Sequence, residues 1–190
     1  MHQVMVMKML SQIYPQTEID KRKVKAAAVV CIDCIDTWVQ ETLQGIIGAP
    51  PYEPSQVGFD DIRDWVAGNI DYKSDEDRWG EDYWQTPEET LSYSTGDCED
   101  FSTLLCSLLR AYGIDAGQVY VALGIVDEEY GHAFLIEDWY HDGEWWRIES
   151  QAPVSWPPRT HPDPELYEYE ITAAFNDLYY YDESFPWDED

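Results

Sequence analysis

Cys98 is placed for nucleophilic chemistry. It follows Gly96-Asp97 and opens a run in which Phe101, Leu104, Leu105, Leu108 and Leu109 form one apolar stripe, predicting a helix from Cys98 to Gly113. A helix N-terminus carries partial positive charge and favours a thiolate, the nucleophilic form of cysteine. Cys106 falls inside the same stripe and reads as a buried, inert thiol. His132 stands 34 residues after Cys98, in Gly131-His132-Ala133-Phe134, at the start of a predicted strand. Glu149 ends the next predicted strand, 17 residues further on. Adjacent hairpin strands can bring the two side by side. A carboxylate there would bond one imidazole nitrogen, hold the tautomer and leave the other nitrogen to face sulfur. Cys98, His132 and Glu149 are thus the expected catalytic triad.

Acyl transfer through such a thiol needs donors for the oxyanion. The backbone N–H of Cys98 is one. Trp84, through its indole N–H, and Gln85, through its amide, are candidates for a second, since both lie on a predicted loop shortly before the nucleophile. The acids beside Cys98 work against it: Asp97, Glu99 and Asp100 disfavour a neighbouring thiolate. Residues 60–100 hold 14 acids against three bases. A bound cation would remove the conflict, and calcium takes several carboxylate oxygens. The alternative is that these acids simply suit the positive end of the helix, with Asp97 as its cap. Cys31 and Cys34 form a Cys-x-x-Cys, which admits a redox or zinc role. No strand precedes it and no second such pair follows, so both read as small apolar residues on one helix face.

The elements that must position these groups follow from pattern. Residues 1–17 read as a leader and 18–190 as a single domain, a size that buries a core without staples. Apolar residues at three- and four-residue steps predict one long helix over 18–47, stopped by Gly48, Pro50 and Pro51. A second helix is expected at 59–69 and a polar loop at 71–83. Thr86-Pro87-Glu88-Glu89 carries a capping box and predicts a short helix to Tyr93. Strands are expected at 119–126, 133–140 and 144–149, the last two flanking an Asp-Gly hairpin at 141–143. Residues 171–181 add a strand or an extended cover, and 182–190 an acidic end. Helices followed by an antiparallel sheet predict an α+β fold.

Net charge is −28. That excludes nucleic-acid binding through a basic surface and adhesion to anionic lipid. Only 5 residues are lysine, which fits a solvated halophile-type surface; the other reading of the acidity is binding of cations or of a basic partner. No run of about 18 apolar residues predicts a membrane span. The first residues lack a basic n-region followed by an apolar stretch, so a cytoplasmic location is expected. Oligomeric state is not legible.

The residues quoted carry a resemblance. Gly96-Asp97-Cys98-Glu99-Asp100-Phe101, Leu108 to Ile114, Gly131 to Phe134 and Trp145 to Glu149 resemble the pattern of the transglutaminase-like, papain-fold cysteine enzymes. The stretch from Asp82 to Leu91 is similar to the segment before the nucleophile in the bacterial transglutaminase-like cysteine proteinases, a group that includes calcium-dependent periplasmic proteases. The resemblance spans about residues 59–150. It implies a papain-like core and acyl transfer through Cys98, with a protein or peptide as substrate. Water as acceptor makes a peptidase or amidase, an amine acceptor a transglutaminase. A catalytically idle peptide-binding module is the alternative of a different class. No cofactor is required, but the resemblance implies that Asp97 and Glu99 hold calcium. The family's usual acid at the position of Glu149 is Asp, one methylene shorter.

Overall fold

The computed structural model describes residues 32–80, 83–126, 130–139, 145–151 and 169–182. The expected leader, residues 18–31 of the expected long helix with Cys31, the hairpin tip at 141–143 and residues 183–190 of the acidic end lie outside these. Helix α1 runs Thr37–Ile47. The expected helix over 18–47 is therefore corrected at its described end: residues 32–36 are not helical. The reason is local. The Asp36 carboxylate accepts from the backbone N–H groups of Trp38 and Val39, ending the helix as an N-cap. Cys34 accordingly lies in a turn and not on a helix face.

Helix α2, Gln56–Asn69, buries Phe59, Ile62 and Val66, the residues its periodicity points inward. The segment expected as plain loop contains a short strand β1, Asp71–Tyr72, and a single helical turn α3, Asp75–Arg78. Helix α4, Pro87–Tyr93, starts on the Thr86–Glu89 capping box and ends on Ser94 in the left-handed conformation. Strand β2, Thr95–Gly96, pairs in parallel with β1 and leads into helix α5, Cys98–Tyr112. Gly113, at φ 110°, closes α5, a conformation glycine adopts without strain.

Five antiparallel strands follow: β3 Val119–Val126, β4 Tyr130–Glu137, β5 Trp146–Ile148, β6 Tyr169–Phe175 and β7 Tyr180–Asp182. Their order is β5-β4-β3-β6-β7. The tail beyond 168 thus supplies two strands, β6 beside β3 at the centre. One sheet face, with Val119, Val121, Leu123, Ala133, Leu135 and Phe175, packs in one core with Leu104, Leu105, Leu108 and Leu109 of α5. Burial of α5 is nearly complete, because α1, α2 and α4 pack against it while the sheet lies beneath. The other face carries a smaller core of Tyr120, Ala122, Phe134, Ile136 and Ala174. Among the described residues no helix is long and apolar enough to cross a membrane.

Candidate active site

Cys98 is the first residue of α5, held at the buried end of the helix with 9% of its surface exposed. Its position is fixed from three sides. Ser102 Oγ donates to Cys98 O at 2.7 Å and lies 2.7 Å from Ser150 Oγ, tying the first turn to the residue after Glu149. The parallel β1–β2 bridge sets Tyr72 opposite Gly96, and Lys73 N–H donates to Gly96 O at 2.8 Å. Asp100 then anchors the approach. Its carboxylate accepts from the backbone N–H of Asp97 at 3.3 Å, from the backbone N–H of Gln85 at 2.8 Å, and from Gln85 Nε2. Gly96 permits this: a Cβ there would lie 2.5 Å from Asp100 Cβ.

His132 and Glu149 meet as an ion-pair geometry, Nε2 to Oε2 at 2.9 Å. Leu135 pairs with Ile148, the last residue of β5, and continuing that register one step past the strand end makes Glu149 a diagonal neighbour of His132. The His132 ring stacks on Phe134 at 5.9 Å. Glu149 Oε1 lies 3.1 Å from Arg147 Nε, and its backbone carbonyl accepts from Arg63 Nε at 3.2 Å. Burial alone would raise the Glu149 carboxyl. The bond to His132 and the charges of His132, Arg147 and Arg63 outweigh it and hold that carboxyl below the ordinary range. With Nε2 engaged by Glu149, Nδ1 is the other imidazole nitrogen.

The thiol faces the backbone N–H of Ala133, the neighbour of His132, and hydrogen bonds Glu99 Oε2 at 3.3 Å. Burial pushes the thiol well above its ordinary range, and the charges of Glu99 and Asp97 push it further; the Ala133 N–H pulls the other way. Cys106 is fully buried, and burial raises its thiol too.

The two oxyanion candidates have different fates. Gln85 is engaged by its neighbours. Its side-chain amide is fully buried and spent on Asp100 and on Thr95 O, at 3.2 Å for the latter, so it braces the loop and offers no free donor. Its proximity to the nucleophile was legible, its partner was not, because Asp100 lies 15 residues away in the chain. The Trp84 ring packs 5.9 Å from Phe175, and its Nε1 is buried without a hydrogen-bond partner among the described residues.

Asp97 and Glu99 do lie together, and a third carboxylate that sequence reasoning missed joins them. Asp75, Asp97 and Glu99 are all buried, with one oxygen of each within 4.8 Å of the others. Asp75 comes from α3, carried to the site by the β1–β2 bridge. Its Oδ2 accepts from the backbone N–H of Tyr83. Asp97 Oδ1 is buried and unpartnered among the described residues. Burial raises the Asp97 carboxyl, against hydrogen bonds and the charge of Arg78. Asp100 is pushed up to about 8 by burial and by Asp97, despite the N–H donors of Gln85. All-oxygen carboxylate donors suit a hard divalent cation such as calcium.

Comparisons with known proteins agree with this architecture. LapG of Legionella pneumophila is 19% identical, with a TM-score of 0.56 over 92% of this chain and 84% of its own. Its calcium-bound structure is 18% identical, with a TM-score of 0.57 over 96% of this chain and 88% of its own. An EGTA-treated LapG scores 0.58 at 18% identity, over 93% of this chain and 83% of its own. The centrosomal protein of 76 kDa from Danio rerio is 38% identical over 56 residues, which is 30% of this chain and 8% of that protein. A profile of the transglutaminase-like superfamily matches residues 49–150. That span begins just after α1, contains Cys98 and His132, and ends just past Glu149: the chain belongs to the transglutaminase-like superfamily.

Proposed function

We propose that this protein is a cysteine peptidase or amidase that cleaves an acyl bond in a protein or peptide substrate through Cys98. The observation that carries the reading is the His132–Glu149 pair at 2.9 Å, beside the backbone N–H that faces the thiol. Glu149 orients the imidazole and stabilises its cationic form. His132 takes the thiol proton through Nδ1, and Sγ attacks the substrate carbonyl carbon. The oxyanion is held by the Cys98 backbone N–H, with Trp84 Nε1 as the second donor. Collapse breaks the C–N bond, and His132 returns its proton to the leaving amine. Water activated by His132 then hydrolyses the thioester and restores the thiol.

Asp75, Asp97 and Glu99 would hold a calcium ion. The donor set fits: three buried carboxylates converge, and one oxygen is orphaned. When bound, the ion supplies positive charge beside a thiol that burial and these acids otherwise keep protonated. Calcium-bound LapG supports this reading by its fold.

Labelling with a thiol-reactive peptide aldehyde or iodoacetamide in the presence of calcium, read by mass spectrometry, tests the nucleophile. Cys98 should react first, and Cys98→Ala should abolish turnover with folding intact. Equal labelling of Cys34, Cys98 and Cys106 in folded protein would overturn the assignment.

A further inference from the structure

Exposed aromatic side chains crowd into the segment just before the nucleophile. Tyr72, Trp79, Tyr83 and Tyr93 are 57%, 43%, 41% and 46% exposed. Three of them form one cluster: the Trp79 ring lies 5.4 Å from Tyr83 and 5.9 Å from Tyr93. A guanidinium already rests there. Arg78 Cζ sits 4.8 Å from the Trp79 centroid and 5.0 Å from that of Tyr93, while its Nη1 donates to Thr95 O at 3.0 Å. The same stretch of chain is acidic, with Asp71, Glu76, Asp77 and Glu88 exposed against one exposed base, Lys73. Rings left this open expose apolar area that core packing does not use.

The cluster is tied to the reaction centre. The backbone N–H of Tyr83 donates to Asp75, whose carboxylate groups with those of Asp97 and Glu99. Tyr72 stands opposite Gly96, two residues before the thiol.

We infer that this aromatic surface, in an acid-rich stretch of the chain, is a substrate subsite that takes an arginine-bearing stretch of polypeptide. The inference deepens the peptidase reading and rests on it. Charge complementarity names the occupant: a chain of net charge −28 attracts cationic segments at long range. The rings then choose among cations. A guanidinium stacks flat on an aromatic face while pairing with carboxylates, and it sheds water more readily than an ammonium. Arg78 shows that the geometry accepts that group.

The test uses the full chain carrying Cys98→Ala, so that binding is read without turnover. Fluorescein-labelled peptides of matched length, one arginine-rich, one lysine-rich and one glutamate-rich, are titrated by fluorescence anisotropy. The arginine peptide should bind tightest. Adding Trp79→Ala and Tyr83→Ala leaves net charge unchanged and should weaken it about tenfold, with a smaller loss for the lysine peptide. Tyr93→Leu gives an independent reading should the double variant fail to fold. Equal binding of arginine and lysine peptides, or undiminished arginine binding in folded variants, overturns the subsite and leaves charge alone. Selective binding with no cleavage by the unmutated protein overturns the peptidase reading instead; cleavage without arginine preference does the reverse.

Discussion

Glu149 is held between His132 Nε2 and Arg147 Nε, the geometry that the proposed orienting role requires. Glu149→Gln keeps the shape and removes the charge. In a serine triad the equivalent loss costs up to roughly 10⁴ in rate, and a smaller loss is expected where the thiol ionises more easily. Glu149→Asp should retain measurable turnover, because the shorter carboxylate still bonds an imidazole. The same carboxyl sets an acid limit. Its folded value lies below the ordinary one of 4.5, so its stabilising contribution is present above that value and is lost as pH falls through the folded value. Melting curves taken from neutral to acid pH should fall less steeply for Glu149→Gln than for the parent. Gln85 predicts a different signature. Gln85→Ala strips donors from a buried carboxyl and should cost about 1–3 kcal/mol of stability. Turnover per folded molecule should stay within a few-fold. A loss of about 10²–10³ in kcat at unchanged melting temperature would instead mark an oxyanion donor.

At the scale of elements, the site depends on how closely β2 enters α5. Gly96 makes that possible, since a Cβ would meet Asp100 Cβ at 2.5 Å and both atoms are fixed to backbone. Gly96→Ala should therefore destabilise by about 1–3 kcal/mol and impair turnover, because Cys98 moves with the helix start. Gly68→Ala is the matched control. That glycine sits in α2 with nothing within 4 Å of a new Cβ, so the change should be neutral or raise the melting temperature slightly. Equal melting temperatures for the two variants would show that the Gly96–Asp100 approach is not tight. The other end of the domain obeys local chemistry: Asp36 begins α1 although apolar spacing continues upstream of it, because a cap satisfies N–H groups that periodicity ignores.

Across the whole molecule, charge has both a local and a distributed part. The distributed part is screened by any salt. The local part is the triangle of Asp75, Asp97 and Glu99, and a divalent cation bound there would stabilise the folded chain preferentially. Stability should rise by about 2.7 kcal/mol at a free calcium concentration 100 times the dissociation constant. Chelator should lower melting temperature and turnover together, and calcium should restore both where sodium chloride of equal ionic strength does not. Asp75→Asn should weaken the response as strongly as Asp97→Asn. If chelation moves neither quantity, or if Asp75→Asn responds like the parent, the three acids are not a calcium site.

The amino-acid sequence by itself determined the elements whose signals are local. The capping box at Thr86–Glu89, the apolar stripe of α5 and the glycine that ends it each act within one or two turns, and each is where its pattern predicts. It also offered Cys98, His132 and Glu149 as candidates, since a thiol at a helix start, an imidazole on a strand and a carboxylate at the end of the next are residue types at readable spacing, and the structure sets His132 against Glu149. Tertiary structure decided what depends on distant partners. Asp75 reaches Asp97 because two-residue strands pair in parallel, a contact too short to leave a pattern. Gln85 is a brace because Asp100 claims its amide. The tail beyond 168 enters the centre of the sheet beside β3, and pairing between strands that far apart in sequence is settled by burial and register, neither of which a single segment encodes.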